Sequence, residues 1–262
     1  MPSDDNSAPP VALFLFAHQD DEFVLYSVIE SSIRSGMRPI CLYFTTGDFG
    51  GQDSQVRNRE AIEALRRLGV DSSQIFFVGQ QQGISDGKLH LHLEAALDQA
   101  RRIVSSLNAP VRTLHCPAWE GGHQDHDAVN LLTRVLAKEI GCSDVWQAPF
   151  YHGCGLPGML FKVLSPLPAN GPLTTLPISP ADRIRYLGMS SVYKSQTKTW
   201  VALLPFVAID YLLGGQQKLQ SVRSDADVSK PHEGALLYER RNFCRYDEFE
   251  GCAREFIRKH IG

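Results

Sequence analysis

Apolar runs that alternate with amphipathic runs fill the first 150 residues, and this alternation limits the folds open to the chain. Segments of strand length and apolar composition lie at 11–17, 38–46, 74–79, 112–118 and 144–152. Segments with helical spacing of apolar residues lie between them, at 21–36, 53–70, 92–108 and 125–141. Strands joined by helices require right-handed crossovers and a sheet covered on both faces. The sequence therefore predicts an α/β fold with a mostly parallel sheet flanked by helices.

The remaining sequence predicts one domain over residues 11–262. Its 262-residue length suits a single large α/β domain. The polar, acidic stretch at 1–10 predicts a frayed N-terminal arm and lacks the cationic region of a signal peptide. Residues 153–182 are rich in Gly and Pro, which predicts a loop or hairpin insertion. A helix at 180–196 and a mixed C-terminal extension follow.

Composition narrows the classes of function. A net charge of -3 gives no electrostatic reason to expect nucleic-acid binding. No apolar run approaches the roughly 20 residues that span a bilayer, so we expect no transmembrane segment. The six cysteines form no C-x-x-C pair, and several lie in apolar runs. Buried thiols fit a reducing compartment, so we expect a cytoplasmic protein.

Polar clusters follow the first and the fourth predicted strands. His18 and Asp21 lie in "FAHQDDEF", and His123 and His126 lie in "GGHQDHD". Ligands of doubly wound sheets bind outside the carboxyl ends of the strands, where the strand order reverses. Because the first and fourth strands flank that point in the usual order, the two clusters should face each other across one crevice.

The residue types in this crevice predict a catalytic metal centre. His18, Asp21 and His126 form a set of two imidazoles and one carboxylate, which leaves a fourth position on zinc open for water. Asp20 is adjacent but surplus to the ligand count, so it suits a general base. His123 can stabilise an oxyanion if it is cationic, and Asp125 can hold it in its charged form or in the correct tautomer.

Other interpretations apply to the same residues. Acidic residues are common in the first turn of a helix, because they interact favourably with the helix dipole. Either cluster alone would fit that interpretation better, but the two together favour a metal. Arg57 is a candidate for binding substrate hydroxyls or phosphate, and a surface helix position is an equal alternative. His152 and His232 are weaker candidates for the crevice.

The motifs "AHQDDE" and "HQDH" resemble those of the zinc-dependent deacetylases of the PIG-L/LmbE family. Those proteins carry A-H-P-D-D-E after the first strand and H-x-D-H after a later one. "RNRE" and "YKSQ" are further points of similarity, with Arg57 and Glu60 matching an R-x-x-E of the family. The similarity extends over most of residues 11–196.

The resemblance implies a Rossmann-like fold and removal of an N-acetyl group from a glucosamine-type sugar. It also implies roles for six residues, with His18, Asp21 and His126 as zinc ligands, Asp20 as base, His123 as oxyanion stabiliser and Asp125 as the group that tunes His123. Gln19 departs from the family's Pro and places a polar group near the site. Gly121 and Gly122 before His123 provide no side chain to assist the oxyanion, and we expect a loop there that can move.

We therefore expect a zinc-dependent deacetylase that acts on an N-acetylated sugar or its conjugate. Ferrous iron also accepts two histidines and one carboxylate, so the metal stays open. Hydrolysis of a different amide, in a thiol conjugate or an antibiotic intermediate, is the alternative within the same chemistry. A non-catalytic nucleotide-binding module is the alternative from another class, but three acids would repel a pyrophosphate. The sequence leaves the oligomeric state open.

Overall fold

The computed structural model describes residues 8–225 and 227–262. In these residues the strands are β1 (Val11–Phe16), β2 (Arg38–Tyr43), β3 (Ile75–Phe77), β4 (Val111–Pro117), β5 (Val145–Ala148), β6 (Tyr151–His152), β7 (Lys162–Val163), β8 (Leu173–Pro177) and β9 (Gln216–Ser221). The helices are α1 (Tyr26–Arg34), α2 (Ser54–Arg67), α3 (Val78–Gln82), α4 (Leu93–Ser106), α5 (Gln124–Ile140), α6 (Pro180–Met189), α7 (Thr197–Ile209), α8 (Leu237–Arg240) and α9 (Tyr246–His260).

Seven of the strands form the central sheet, in the order β3-β2-β1-β4-β5-β9-β8. The pairs among β1 to β5 are parallel, and β9 and β8 add an antiparallel edge. The strand order runs outward in both directions from the neighbours β1 and β4. The predicted α/β fold with a mostly parallel sheet is therefore confirmed, and the β1–β4 crevice is its switch point.

Strand β1 shows why both faces of the sheet must be covered. Its residues are fully buried and alternate between two apolar cores. Leu13 and Leu15 face α4, α5 and α9, whereas Phe14 and Phe16 face α1, α2 and the α6–α7 segment. Burial of each such side chain is worth about 1.5–3 kcal/mol, which anchors the strand that precedes the first polar cluster.

Several predicted elements have different bounds in the structure. The fifth strand was expected to extend to residue 152, but β5 ends at Ala148 because Pro149 has no N–H to continue the ladder. The helix expected from residue 21 begins with a 3-10 turn, Asp21–Leu25, before α1. The helix expected over 180–196 ends at Met189 and continues as two 3-10 turns.

The Gly/Pro-rich stretch does not stand apart from the body of the protein. Strand β7 pairs with β6 in a small antiparallel sheet, and β8 joins the central sheet through β9. Most of the arm predicted at 1–10 lies outside the described residues. Within the described residues, no helix combines the length and the apolar composition needed to cross a bilayer.

Candidate metal centre and active site

The loops after β1 and β4 bring the two polar clusters together in the crevice. The first cluster follows Phe16 directly, and the second occupies the N-terminal end of α5. The imidazole centroids of His18, His123 and His126 lie 4.6–5.5 Å from one another. The strand order thus places residues about one hundred positions apart in sequence within contact distance.

His18, Asp21 and His126 have the geometry expected of ligands to one ion. The Nε2 atom of His126 lies 3.1 Å from Oδ1 of Asp21, and Nδ1 of His18 lies 3.7 Å from Oδ2 of Asp21. Atoms bound tetrahedrally to one zinc ion at 2.0–2.2 Å lie about 3.4 Å apart. Since all three side chains are buried, the residues fit a metal ion.

The electrostatics of this cluster favour a positive charge. Burial lowers the pKa of His18, but hydrogen bonds to Asp125 and Asp21 outweigh it and raise the pKa well above its ordinary value. Burial would raise the pKa of Asp21, but His126 and His18 hold it well below its ordinary range. A buried carboxylate that stays ionised beside two imidazoles needs a proton or a metal ion as its partner.

Asp125 orients His18 instead of pairing primarily with His123. Its Oδ2 atom lies 3.1 Å from Nε2 of His18 and 3.8 Å from Nδ1 of His123. Because Nε2 of His18 is directed to Asp125, a metal ion beside Asp21 would bind Nδ1 in place of its proton. The expected contact between the Asp125 carboxylate and His123 is therefore secondary, because His18 lies closer.

His18, His123 and Asp125 also lie close enough together to hold an ion. However, the Asp125 carboxylate already accepts hydrogen bonds from the backbone N–H groups of Gly87 and Leu89 as well as from His18. These contacts occupy the oxygens that would bind a metal. The geometry thus favours the set with Asp21 and His126.

His123 is the N-cap of α5, and this position fixes its tautomer. Its Nδ1 atom accepts the backbone N–H of Asp125 at 3.2 Å, so the ring proton resides on Nε2. Burial lowers the pKa of His123 well below its ordinary value. The structure therefore presents a neutral imidazole that donates from Nε2, in place of the cation considered from the sequence, and the Asp125 backbone sets the tautomer.

Asp20 lies at the wall of the cavity and is not in either potential ligand set. Burial raises the pKa of Asp20 to about 7, while the Arg57 guanidinium opposes that shift. Its backbone has a φ of 145°, a conformation that residues with a Cβ atom rarely adopt. A partly buried carboxylate with a raised pKa suits proton transfer near neutral pH.

Arg57 is a buried ion-pair partner, not a surface residue. Its Nη2 atom contacts the Asp20 carboxylate at 3.3 Å, and its Nη1 atom contacts the Asp86 carboxylate at 3.2 Å. It also donates to the backbone carbonyls of Gln19 and Gly47. Arg57 lines the cavity, so its predicted role in substrate binding stays a prediction.

The cavity next to these residues has a volume of about 220 Å³. It is lined by residues of the two polar clusters and by apolar and aromatic residues, which include Phe150, Tyr151, Trp200, Leu203, Val207 and Phe243. None of these six residues was predicted from the sequence. These residues lie after β5 and belong to none of the recognised motifs. Only the aromatic and apolar composition of their segments indicated a binding surface.

His152 and Gln19, which were also considered from the sequence, have contacts that support the fold and not the cavity. The His152 ring bonds to the Ser165 carbonyl and to the backbone N–H of Cys154 and does not line the cavity. Gln19 is buried and donates to Asn58 at 2.7 Å, so its side chain supports the loop from behind the site. Gly122 packs so closely that a Cβ atom there would lie 1.8 Å from the Tyr151 carbonyl oxygen.

Comparisons with known proteins agree with this fold. Residues 13–137 match the family model described as PIG-L, GlcNAc-PI de-N-acetylase, which confirms the resemblance to that family. No curated protein matches the sequence at a significant level. Similar solved structures include a deacetylase triple mutant from the teicoplanin biosynthetic pathway, with 18% identity and a TM-score of 0.61 over 82% of this chain and 99% of that chain.

Two other solved structures show the same likeness. The A40926 pseudoaglycone deacetylase is 15% identical, with a TM-score of 0.60 over 82% of this chain and 98% of that chain. The N,N'-diacetylchitobiose deacetylase of Pyrococcus horikoshii is 19% identical, with a TM-score of 0.55 over 81% of this chain and 82% of that chain. At these identities the likeness establishes the shared fold.

Proposed function

We propose that the protein is a zinc-dependent hydrolase that removes an N-acetyl group from an amino sugar or its conjugate. The premise is the match of residues 13–137 to the PIG-L family model. The observation that carries this proposal is the convergence of His18, Asp21 and His126 at one edge of the cavity, with Asp20 beside them. A ligand set that leaves one position open is typical of catalytic zinc. Ferrous iron remains an alternative occupant.

Different residues of the cavity have different roles in the proposed reaction. His18, Asp21 and His126 would hold a divalent ion, which would supply Lewis acidity toward the amide carbonyl and would lower the pKa of a water molecule. Asp20 accepts the proton of the attacking water. The Nε2–H of His123 donates a hydrogen bond to the carbonyl oxygen as it becomes negative. Asp20, which has gained that proton, then returns it to the leaving amine.

The apolar walls bear on the choice of substrate. Phe49, Leu203 and Phe243 line the cavity and retain apolar surface that is accessible to solvent. A free N-acetyl sugar would leave these side chains uncovered, whereas a sugar joined to an apolar aglycone would bury them at about 25 cal/mol per Å². This contrast supports a conjugated amino sugar as the substrate.

Amine release from a panel of N-acetylated sugars, sugar nucleotides and aryl or alkyl glycosides tests the proposal. We expect equal amounts of free amine and acetate from at least one sugar conjugate, with metal-loaded protein. Cleavage of N-acetylated thiol conjugates alone would favour the alternative amidase. Metal-free protein that binds nucleotides without hydrolysis would favour the non-catalytic module.

The surroundings of the protein are part of the proposal. All six cysteines lie in the described residues and are free thiols, which supports a reducing, cytoplasmic compartment. The partner in this account is a small molecule and not a nucleic acid. Measurement of the free thiols in protein purified without reductant checks the first point.

A further inference from the structure

Two sequence motifs contact the site without binding the proposed metal. The R-x-x-E motif lies on α2, and the Y-K-S-Q motif lies just before α7. Glu60 accepts hydrogen bonds from the backbone N–H and the hydroxyl of Ser195, at 2.9 and 2.5 Å. The two motifs are therefore joined to each other. Arg57 of the first motif contacts Asp20, and Tyr193 of the second contacts Glu22.

Asp20 is held by its backbone as well as by its side chain. Its φ of 145° persists only where surrounding contacts maintain it. Its N–H donates to Oε2 of Glu22 at 3.0 Å, and its carboxylate contacts Arg57 at 3.3 Å. The direction of the Asp20 carboxylate thus depends on both contacts.

Glu22 is itself fixed in place. It is fully buried, and its other oxygen, Oε1, accepts the hydroxyl of Tyr193 at 2.8 Å. Tyr193 is also buried, contacts the hydroxyl of Tyr26, and stacks on Trp200 of the cavity wall with ring centroids 5.6 Å apart. A continuous set of contacts therefore runs from the Y-K-S-Q motif through Glu22 to the Asp20 backbone.

We propose that Glu22 is a positioning residue for the general base. Glu22, anchored by Tyr193, holds the Asp20 N–H and so fixes the conformation that directs the Asp20 carboxylate toward the proposed metal. This inference rests on the proposed function, because it assigns Asp20 as the base. Glu22 does not line the cavity, so it acts through Asp20 and not on the substrate.

Kinetics of Glu22→Leu and Glu22→Gln, each with metal content measured, test the proposal. Leucine removes the acceptor for the Asp20 N–H, so we expect kcat to fall about 10²-fold while KM and metal content stay near normal. Glutamine retains one acceptor for that N–H, and the Tyr193 hydroxyl can accept from its amide, so we expect kcat close to the original value.

The double variants with Asp20→Asn distinguish positioning from general structural damage. If Glu22 acts through Asp20, Glu22→Leu should lower the residual rate of Asp20→Asn by less than about twofold, because residues that act as a unit are not additive. An equal loss in both backgrounds, or loss of metal from Glu22→Leu, would overturn the proposal.

Tyr193→Phe provides a second test if Glu22→Leu does not fold. It leaves the Asp20–Glu22 bond in place but removes one anchor, so we expect a several-fold loss of kcat that disappears in the Asp20→Asn background. Tyr246→Phe is the matched control, because it removes a buried hydroxyl that bonds to the Val228 carbonyl outside the cavity. Its kcat should not change, and a kcat for Tyr193→Phe equal to that of this control would contradict the anchoring.

A crystal structure of Glu22→Leu separates failure of this inference from failure of the proposed function. If the unmodified protein hydrolyses no N-acetyl sugar, the proposed function fails, and the positioning claim is judged by the backbone of Asp20 alone. A φ that leaves the region near 145° supports the claim. An unchanged Asp20 conformation without Glu22 overturns it.

Discussion

At the residue scale, Asp20 provides a direct test of the division of roles in the site. Asp20→Asn should retain the metal, because Asp20 is outside both potential ligand sets. Turnover should fall about 10²–10⁴-fold, the usual loss when a general base is removed. Metal content and amine release are measured on the same preparation. Near-normal turnover in a fully loaded variant would place the base elsewhere.

His123 should act on the transition state through its Nε2–H. His123→Ala should lower kcat by about 10²–10³-fold, as expected for loss of one oxyanion donor, with a smaller effect on KM. Metal content should stay normal. Metal loss in proportion to the loss of activity would instead make His123 a ligand.

The Asp125 carboxylate should affect metal binding more than it affects the imidazole of His123. Because its carboxylate lies 3.1 Å from the His18 Nε2 atom, Asp125→Asn should weaken metal binding about 10–100-fold, the usual effect of removing such a partner. Competition with a chelator measures this affinity. Asp86→Asn is the control, since Asp86 pairs with Arg57 and not with a ligand. An unchanged metal affinity in Asp125→Asn would instead support the role expected from the sequence, in which Asp125 acts on His123.

The convergence of the motif residues could be predicted from the sequence, whereas their hydrogen bonds could not. Residue type and spacing indicated His18, Asp21 and His126, because strand ends converge at the switch point of the sheet. Whether the Asp125 carboxylate bonds to His18 or to His123 depends on the directions of these side chains where the loop after β1 meets the start of α5. Likewise, the burial of Arg57 depends on where α2 packs, which its local sequence does not specify.

At the scale of elements, β4 contains a buried histidine that should make folding depend on pH. Burial lowers the pKa of His115 to about 3, against about 6.5 for an unfolded chain. Between these values the unfolded state binds a proton that the folded state does not. The stability contribution is therefore complete above pH 6.5 and declines as the pH falls, by up to about 1.4 kcal/mol per pH unit.

Urea unfolding at pH 7 and pH 5 measures this effect. His115→Gln should reduce the difference in unfolding free energy between the two pH values by about 2 kcal/mol. His92→Gln is the control, because His92 is exposed and lies just before α4. This substitution should leave that difference unchanged. If His115→Gln retains the full pH dependence, the burial of a neutral imidazole at this position is contradicted.

The alternation of apolar and amphipathic runs predicted β1, β2, β4 and the helices between them. Long runs with clear spacing determine these elements. By contrast, β9 has the sequence "QQKLQS" and lies inside the sheet because it pairs with both β5 and β8. Such pairing depends on distant segments, and the polar composition of β9 gives no local sign of it.

At the scale of the whole molecule, the cavity combines segments from most of the chain. The family match ends at residue 137, but Tyr151, Trp200 and Phe243 complete the walls. The residues of the candidate metal centre thus lie in the first half of the sequence, and the apolar walls come largely from the second half. This division explains why the polar cluster could be predicted from the sequence, while the shape of the cavity could not.

Removal and stoichiometric return of the metal tests the central claim most directly. We predict that chelator-treated protein releases no amine from a sugar conjugate that the untreated protein cleaves. Activity should then rise in proportion to added zinc or ferrous iron up to one equivalent per chain, and His126→Ala should show no such recovery. Amine release that survives complete metal removal, or that recovers equally in His126→Ala, would contradict the account.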